Sequence, residues 1–169
     1  MTKLYLVRHG ETEGNINHVM QGQTPGVLTA RGIQQAEALR EKFADVYFDA
    51  FISSDLDRAS ETCRIIAEPH DLPVVMTPIL RERDWGELTG EPVPPSFDIE
   101  WPESVETEEH VKDRARRFIQ FVIDHYPGKV VLAVGHGMVN RAIQAVHYGR
   151  EMKDIARMNN ADIRILELK

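Results

Sequence analysis

Apolar residues fall along this chain in two rhythms: short unbroken runs, and longer segments where they return every three or four positions. Residues 3–8 alternate poorly around the apolar run Leu4–Val7, as a strand buried on both faces should. From Gly10 to Leu28 the pattern dissolves. Gly10, Gly14, Gly22, Pro25 and Gly26 punctuate a polar loop of a length that in compact domains usually serves function. Thr29 then caps a helix from Ala30 to about Phe43, with Ile33, Ala36, Leu39 and Phe43 on one face. Asp49–Ser54 reads as a second strand. Asp55 or Asp57 caps the next helix, which reaches about Ala67 with Ala59, Cys63 and Ile66 inward and Pro69 to end it. Residues 73–76 form a short third strand, expected at a sheet edge.

Residues 81–104, with four prolines, read as an irregular excursion over the surface. The strongest helix follows, from Thr107 to His125: Val111, Ala115, Phe118 and Val122 make its apolar stripe, Arg114, Arg116 and Arg117 decorate the rest, and Pro127-Gly128 stops it. Lys129–Val134 is a nearly pure apolar run, hence a central strand, and it ends in Gly135-His136-Gly137. Met138–Tyr148 is another helix, Asn159-Asn160 a turn, and Ile163–Leu168 a last strand. Strands alternating with helices predict an α/β fold, a three-layer α/β/α sandwich on a mostly parallel sheet with right-handed crossovers. No repeat, low-complexity tract or linker divides the chain, so residues 1–169 read as one domain.

Composition narrows the possibilities. With 169 residues, 42% hydrophobic and 28% charged, the chain can bury one sizeable core and is not of disordered type. A net charge of −7 argues against nucleic acid as a partner, and any positive charge for an anionic ligand must be local. The single cysteine, Cys63, excludes a disulfide framework within the chain and reads as a small core hydrophobe. Only four apolar residues separate Lys3 from Arg8, too few for a signal-peptide core or a membrane span, so a cytoplasmic protein with no membrane partner is expected. His18, His70, His110, His125 and His147 lack metal-ligand spacing, and neither metal nor cofactor is expected.

The candidate chemistry sits where strands stop. The first strand ends in Arg8-His9-Gly10, the second in Ser53-Ser54 with Arg58 one turn into the next helix, and the fourth in Gly135-His136-Gly137. In a parallel sheet these three ends share one edge, the edge at which ligands bind in open α/β folds. Arg58 at a helix start opposes the helix dipole, which favours a functional over a purely structural reading.

These stretches resemble the histidine phosphatase superfamily, also called the phosphoglycerate mutase-like family. Leu-Val-Arg-His-Gly-Glu-Thr looks like its nucleophile motif, Ser53 to Thr62 like its second arginine motif, Leu80-Arg-Glu82-Arg-Asp-Trp-Gly86-Glu-Leu-Thr-Gly90 like its proton-donor loop, and Val134-Gly-His136-Gly like its second histidine. Four motifs in the right order cover nearly the whole chain. The resemblance implies a sheet of order 3-2-4-1-5 with one antiparallel strand near an edge, and His9 and His136 flanking one phosphate. It implies hydrolysis of a small phosphorylated substrate through a phosphohistidine on His9.

The chemistry is consistent with that. A neutral imidazole nitrogen is a competent phosphoryl acceptor, and its other nitrogen, donating to a loop carbonyl, would fix tautomer and orientation. Arg8 and Arg58 offer planar, permanently charged forks to the equatorial oxygens, and His136, if protonated, adds a third cationic donor. The helix starting near Asp57 would aim N–H groups at the same place. Glu82 is the candidate acid for the leaving oxygen and base for the attacking water; a carboxyl beside a phosphate dianion is favoured in its protonated form. Asn15 and Thr12 are candidate phosphate contacts, Gln21-Gly22 a further amide at the rim, and Arg83 a substrate-reading residue. Trp85, Phe97 and Trp101 either pack beneath the excursion or line the substrate mouth.

Within the family the alternatives are a phosphoglycerate mutase-type transfer, a protein phosphohistidine phosphatase, and, from another class, a non-catalytic phosphate-binding module. The short chain, the brief excursion after Glu82 and Gly14, where mutases of the family usually carry Trp, favour a phosphatase. The intact Glu82 loop speaks for small phosphomonoesters, and the presence of both His9 and Glu82 speaks against the non-catalytic module.

Overall fold

The computed structural model describes residues 1–169. Five strands, β1 (Thr2–Arg8), β2 (Ala50–Ser54), β3 (Val74–Thr77), β4 (Val130–Gly135) and β5 (Ile163–Leu168), form one sheet of order β3-β2-β4-β1-β5. The β1–β4, β2–β4 and β2–β3 pairs are parallel, and β5 runs antiparallel along β1 at the far edge. The expected three-layer sandwich and strand order are therefore present.

Alternate residues of the central strands feed two separate cores. Leu4, Leu6, Ile52, Val131 and Ala133 point to one face, where they meet α4 (Glu108–His125) and α5 (Gly137–Tyr148). Val7, Phe51, Leu132 and Val134 point to the other and meet Leu39 and Phe43 of α2 (Ala30–Phe43) and Ala59, Cys63 and Ile66 of α3 (Asp57–Ala67). This two-sided burial explains the poor alternation of the central strands. The edge strand β3 keeps only a half-buried surface. No helix is long and apolar enough to cross a membrane.

Local signals were read well at most helix starts: Thr29 and Thr107 accept hydrogen bonds from the N–H groups of Gly32 and His110. The start of α3 differs from expectation. Its N-cap is Leu56, with no side-chain cap bond. Asp55 instead forms a bidentate pair with Arg81, at 2.8 and 2.7 Å, across to the excursion. The tertiary partner outcompetes the local cap because the guanidinium fork satisfies both carboxylate oxygens. The helix ends at Ala67, and Pro69 lies within a short 3-10 turn over Glu68–His70. The Gly10–Leu28 loop contains a single helical turn, α1 (Glu13–Ile16), closed by a reciprocal capping box between Thr12 and Asn15.

The loop after β1 is pressed against the start of α2. A Cβ at Gly32 would stand 2.1 Å from the Glu11 carbonyl oxygen, and one at Gly10 would stand 2.5 Å from the Gly32 carbonyl oxygen. Helix α2 thus abuts the backbone that carries His9. Gly32→Ala is expected to destabilise the protein by about 1–3 kcal/mol through overpacking, measured by urea unfolding. A loss under about 0.5 kcal/mol would show that the loop moves aside freely.

Candidate active site

The register of β1 against β4 puts Arg8 opposite Gly135, so His9 and His136 leave adjacent strands side by side. The ring centroids stand 5.1 Å apart, edge to face. The backbone N–H of His9 donates to the Gly135 carbonyl at 3.2 Å, and that of Gly10 to Thr62 Oγ1 of α3 at 3.1 Å. The turn before β5 closes the far side: Ala161 N–H is shared by the Arg8 and His9 carbonyls at 3.0 and 3.2 Å, and Asn160 Nδ2 donates to the His9 carbonyl at 3.2 Å. Ala161 adopts φ 64° to do so, a conformation that costs a residue with a Cβ about 1–2 kcal/mol.

His9 Nδ1 lies 2.7 Å from the Gly10 carbonyl oxygen. A carbonyl only accepts, so Nδ1 carries a proton. Burial, reinforced by Arg58 and Arg8, holds the ring well below the usual imidazole range despite the Gly10 bond. The neutral ring then leaves Nε2 unprotonated, with its lone pair available. His136 is neutral for the same reasons: burial first, then Arg58, His9 and Arg8. The surrounding cations thus hold His136 neutral in the ligand-free site. His136 Nε2 lies 2.9 Å from Ser54 Oγ, which also accepts from Leu56 N–H at 3.2 Å; we assign the Ser54 hydroxyl as donor to Nε2 because no other acceptor lies within its reach. His136 Nδ1 is then an N–H donor, and it is buried with no acceptor in the protein.

Arg8 and Arg58 show the same feature. Arg8 Nη1 donates to the Met158 carbonyl at 2.6 Å. Arg58 Nη2 donates to the Gly22 carbonyl at 2.8 Å, and its Nη1 to that of Thr24. Each retains a buried Nε without a partner. Burial pulls the Arg58 guanidinium down to about 10, a shift that Glu82 opposes and Arg8 reinforces, so it stays charged at neutral pH.

Glu82 reaches the same place from the excursion. Its Oε1 accepts from the N–H groups of Arg83 and Val139 at 2.8 and 3.0 Å, and its Oε2 from Met138 N–H at 3.0 Å. The carboxylate therefore clamps onto the N-terminus of α5, where the helix dipole favours negative charge. The loop is held from below by Arg114 of α4, whose Nη1 donates to the Ile79 and Arg81 carbonyls at 2.7 and 2.8 Å. Arg114 is itself paired with Glu106 through Nε and Nη2 at 2.8 and 2.9 Å. Burial pushes the Glu106 carboxyl up, but bonds from Arg114, the Asp84 N–H and His110 outweigh it and leave it below the usual carboxylate range.

These groups meet at a cleft of about 260 Å³, lined at its inner end by Arg8, His9, Arg58 and Glu82 and at its mouth by Val93 and Phe97 among others. The family model described as "Histidine phosphatase superfamily (branch 1)" matches residues 4–169. This chain belongs to the histidine phosphatase superfamily. It is 37% identical over 147 residues, 85% of this chain and 76% of the relative, to the uncharacterized phosphatase PhoE of Bacillus subtilis. A 42% identical match to the adenosylcobalamin/alpha-ribazole phosphatase of Escherichia coli covers 50% of this chain and 42% of that protein, so this chain aligns with under half of that relative. Among solved structures, YhfR of Bacillus stearothermophilus superposes with a TM-score of 0.92 at 30% identity, covering 99% of this chain and 91% of that one. These similarities place the chain among enzymes of the histidine phosphatase type.

Within this superfamily site, the sequence-predicted residues separate into three groups. His9, Arg8, Arg58, Glu82, Asn15, Gln21 and Gly22 all line the cleft. His136 lies behind His9, fully buried. Thr12 and Arg83 do not reach the cleft. Thr12 is buried and spends its hydroxyl on Asn15 Oδ1 and Gln21 Oε1, both at 2.9 Å. Arg83 is 1% exposed, donates to the Glu106 carbonyl at 2.7 Å, and stacks on Trp85 and Trp101 at 4.8 and 5.1 Å, as a pillar beneath the excursion. The aromatic trio does both things considered for it: Trp85 and Phe97 line the cleft, and Trp101 packs against both. Asn15 Oδ1 accepts from Thr12 and from Asn160 Nδ2 at 3.1 Å, leaving its NH2 as the end free for a ligand. The N–H groups at the start of α3 are spent on Pro25 and Leu56 carbonyls, so α5, not α3, supplies the helix end at the site.

Ser54, Thr62, Arg114 and Asn160 were not singled out for the roles they play, because their partners lie far away in sequence. Ser54 was marked only as a strand end, Thr62 as the end of a motif, Arg114 as part of a helix face and Asn160 as part of a turn.

Both buried imidazoles sit below the unfolded value of about 6.5, so on acidification the unfolded chain takes up these protons first. Their contribution to stability is complete above about pH 6.5 and is lost as pH falls below it. NMR titration is expected to show His9 and His136 protonating well below the ordinary imidazole range. Titration of His9 at an ordinary imidazole value would refute the electrostatic account. Arg114→Met is expected to cost about 3 kcal/mol in chemical denaturation by stranding buried Glu106, with partial recovery in the double variant carrying Glu106→Gln. A double variant no more stable than the single one would break that link.

Proposed function

We propose that this protein hydrolyses small phosphomonoesters through a phosphohistidine intermediate on His9, without a metal. The observation that carries this reading is the set of three buried donors without protein acceptors, Arg8 Nε, Arg58 Nε and His136 Nδ1, gathered around an imidazole whose Nε2 is unprotonated. Unpaired buried donors are costly unless an acceptor completes them. Three donors beside one nucleophile suit the three equatorial oxygens of a phosphoryl group in flight.

In the first step Nε2 of His9 attacks phosphorus, the P–O bond to the alcohol breaks, and Glu82 gives its proton to the leaving oxygen. In the second, Glu82 takes a proton from water, the hydroxide attacks phosphorus, and the N–P bond breaks to release phosphate and neutral His9. Arg8 and Arg58 remain charged throughout and stabilise the equatorial oxygens. Transfer back to bound product would require water to be kept from the phosphohistidine. Here only Trp85, Val93 and Phe97 of the brief excursion line the cleft, and at Gly14 a polar Gln21 side chain occupies the space: a Cβ there would stand 2.4 Å from Gln21 Cδ. Both features favour water as the acceptor.

The test is release of p-nitrophenolate and inorganic phosphate in the presence of EDTA, with acid-labile phosphate trapped on His9 by rapid quench. His9→Ala is expected to abolish both signals. Glu82→Gln is expected to slow alkyl phosphates by about 10²–10⁴ and p-nitrophenyl phosphate far less, because only poor leaving groups need the proton. Equal losses for both would remove Glu82 from the acid role.

A further inference from the structure

The cleft carries more positive charge than a phosphate group needs. Four arginines line it, Arg8, Arg58, Arg141 and Arg157, against the single carboxylate of Glu82, in a chain whose net charge is −7. Arg8 and Arg58 belong to the phosphoryl site. Arg141 and Arg157 lie beyond it, on α5 and in the segment before β5.

Neither forms an ion pair, whereas Arg40, Arg81 and Arg114 elsewhere on the molecule do. Arg141 is nevertheless fixed in place: its Nε donates to the Ile155 carbonyl at 2.9 Å and its Nη2 to that of Lys153 at 3.2 Å, leaving Nη1 without a protein partner. The Arg157 guanidinium lies 5.8 Å from the centroid of Phe97, which itself lines the mouth. The two cations feel each other: burial draws Arg141 down from its ordinary value, Arg157 draws it further, and Glu108 opposes. Arg141 is anchored by carbonyls and Arg157 stands over the Phe97 ring, neither by a carboxylate, so two like charges held at one rim are better accommodated when an anion joins them.

We propose that Arg141 and Arg157 form a second anion subsite, so that the preferred substrates are phosphomonoesters whose alcohol part carries a carboxylate or a further phosphate. The inference rests on reading the inner cleft as a phosphomonoester site. The apolar wall of Phe97 and Val93 beside the two guanidiniums would receive the carbon skeleton between the two anions.

The experiment uses non-hydrolysable probes: phenylphosphonate, 4-carboxyphenylphosphonate and benzene-1,4-diphosphonate, titrated calorimetrically at fixed ionic strength. The intact protein is expected to bind one or both doubly anionic probes about tenfold more tightly than phenylphosphonate, a typical gain for a charged hydrogen-bonded contact. Which of the two gains tells carboxylate from phosphate. Arg157→Gln, a change at an exposed side chain, is expected to bring that ratio close to one, and Arg157→Lys to restore part of it. Equal binding of all three probes by the intact protein, or a ratio that survives in both Arg157→Gln and Arg141→Gln, would overturn the subsite. Turnover of phenyl phosphate with no charge preference among the probes overturns the subsite alone. A charge preference among the probes with no turnover of any ester overturns the phosphatase reading alone.

Discussion

Two guanidiniums and two imidazoles share one buried space at the edge of the sheet, and they cannot all be charged. The arginines, with far higher intrinsic affinity for protons, keep their charge, and the imidazoles give theirs up. This competition leaves an imidazole lone pair available at the inner end of the cleft. It leaves His9 neutral without any carboxylate partner, and the Gly10 carbonyl then decides which nitrogen holds the remaining proton. A site with an acid beside His9 would lose this property, because a nearby carboxylate would favour the protonated ring. The single acid of the inner cleft is instead bound by three backbone N–H groups at the start of α5.

The remaining architecture serves to hold those cations at the inner end of the cleft. Carbonyls do most of the holding. Met158 supports Arg8, and Gly22 and Thr24 support Arg58, so the long loop after β1 and the segment before β5 are ordered by the cations they surround. Carbonyl dipoles anchor a guanidinium without neutralising it, which preserves its charge for a ligand. The same logic reappears one layer out. Arg114 uses one side of its fork to gather the carbonyls that precede Glu82 and the other to pair with Glu106, so α4 sets the height at which the acid enters.

Periodicity made the strands and helices legible, because burial on one face or two leaves a repeat in the sequence. The strand-end histidines and arginines were legible because a parallel sheet gathers such ends. Polar contacts between distant segments left no comparable trace. Arg114 sits among Arg116 and Arg117 as if on a solvated face, yet it is 8% exposed, since the excursion lies over it. Asp55 has the sequence position of a cap but takes a partner 26 residues away. Thr12 and Arg83 stand next to site residues in sequence, and both turn inward to brace the loops those residues ride on. Adjacency in the chain identified the right loops, placing Asn15, Gln21, Gly22 and Glu82 at the cleft but not separating Thr12 and Arg83 from them.

The charge distribution also constrains how such a site is reached. At −7 overall, the protein offers an approaching anion no favourable long-range field. The arginine-lined cleft acts over about a Debye length, roughly 8 Å at physiological ionic strength. Attraction therefore begins only once the ligand is at the mouth, where Arg157 and Phe97 stand, and strengthens inward toward Arg8 and Arg58. A gradient of this kind separates capture from discrimination. The acidic exterior does not concentrate phosphate esters indiscriminately, and selection falls to the short-range geometry of donors, carbonyl-anchored cations and the aromatic wall.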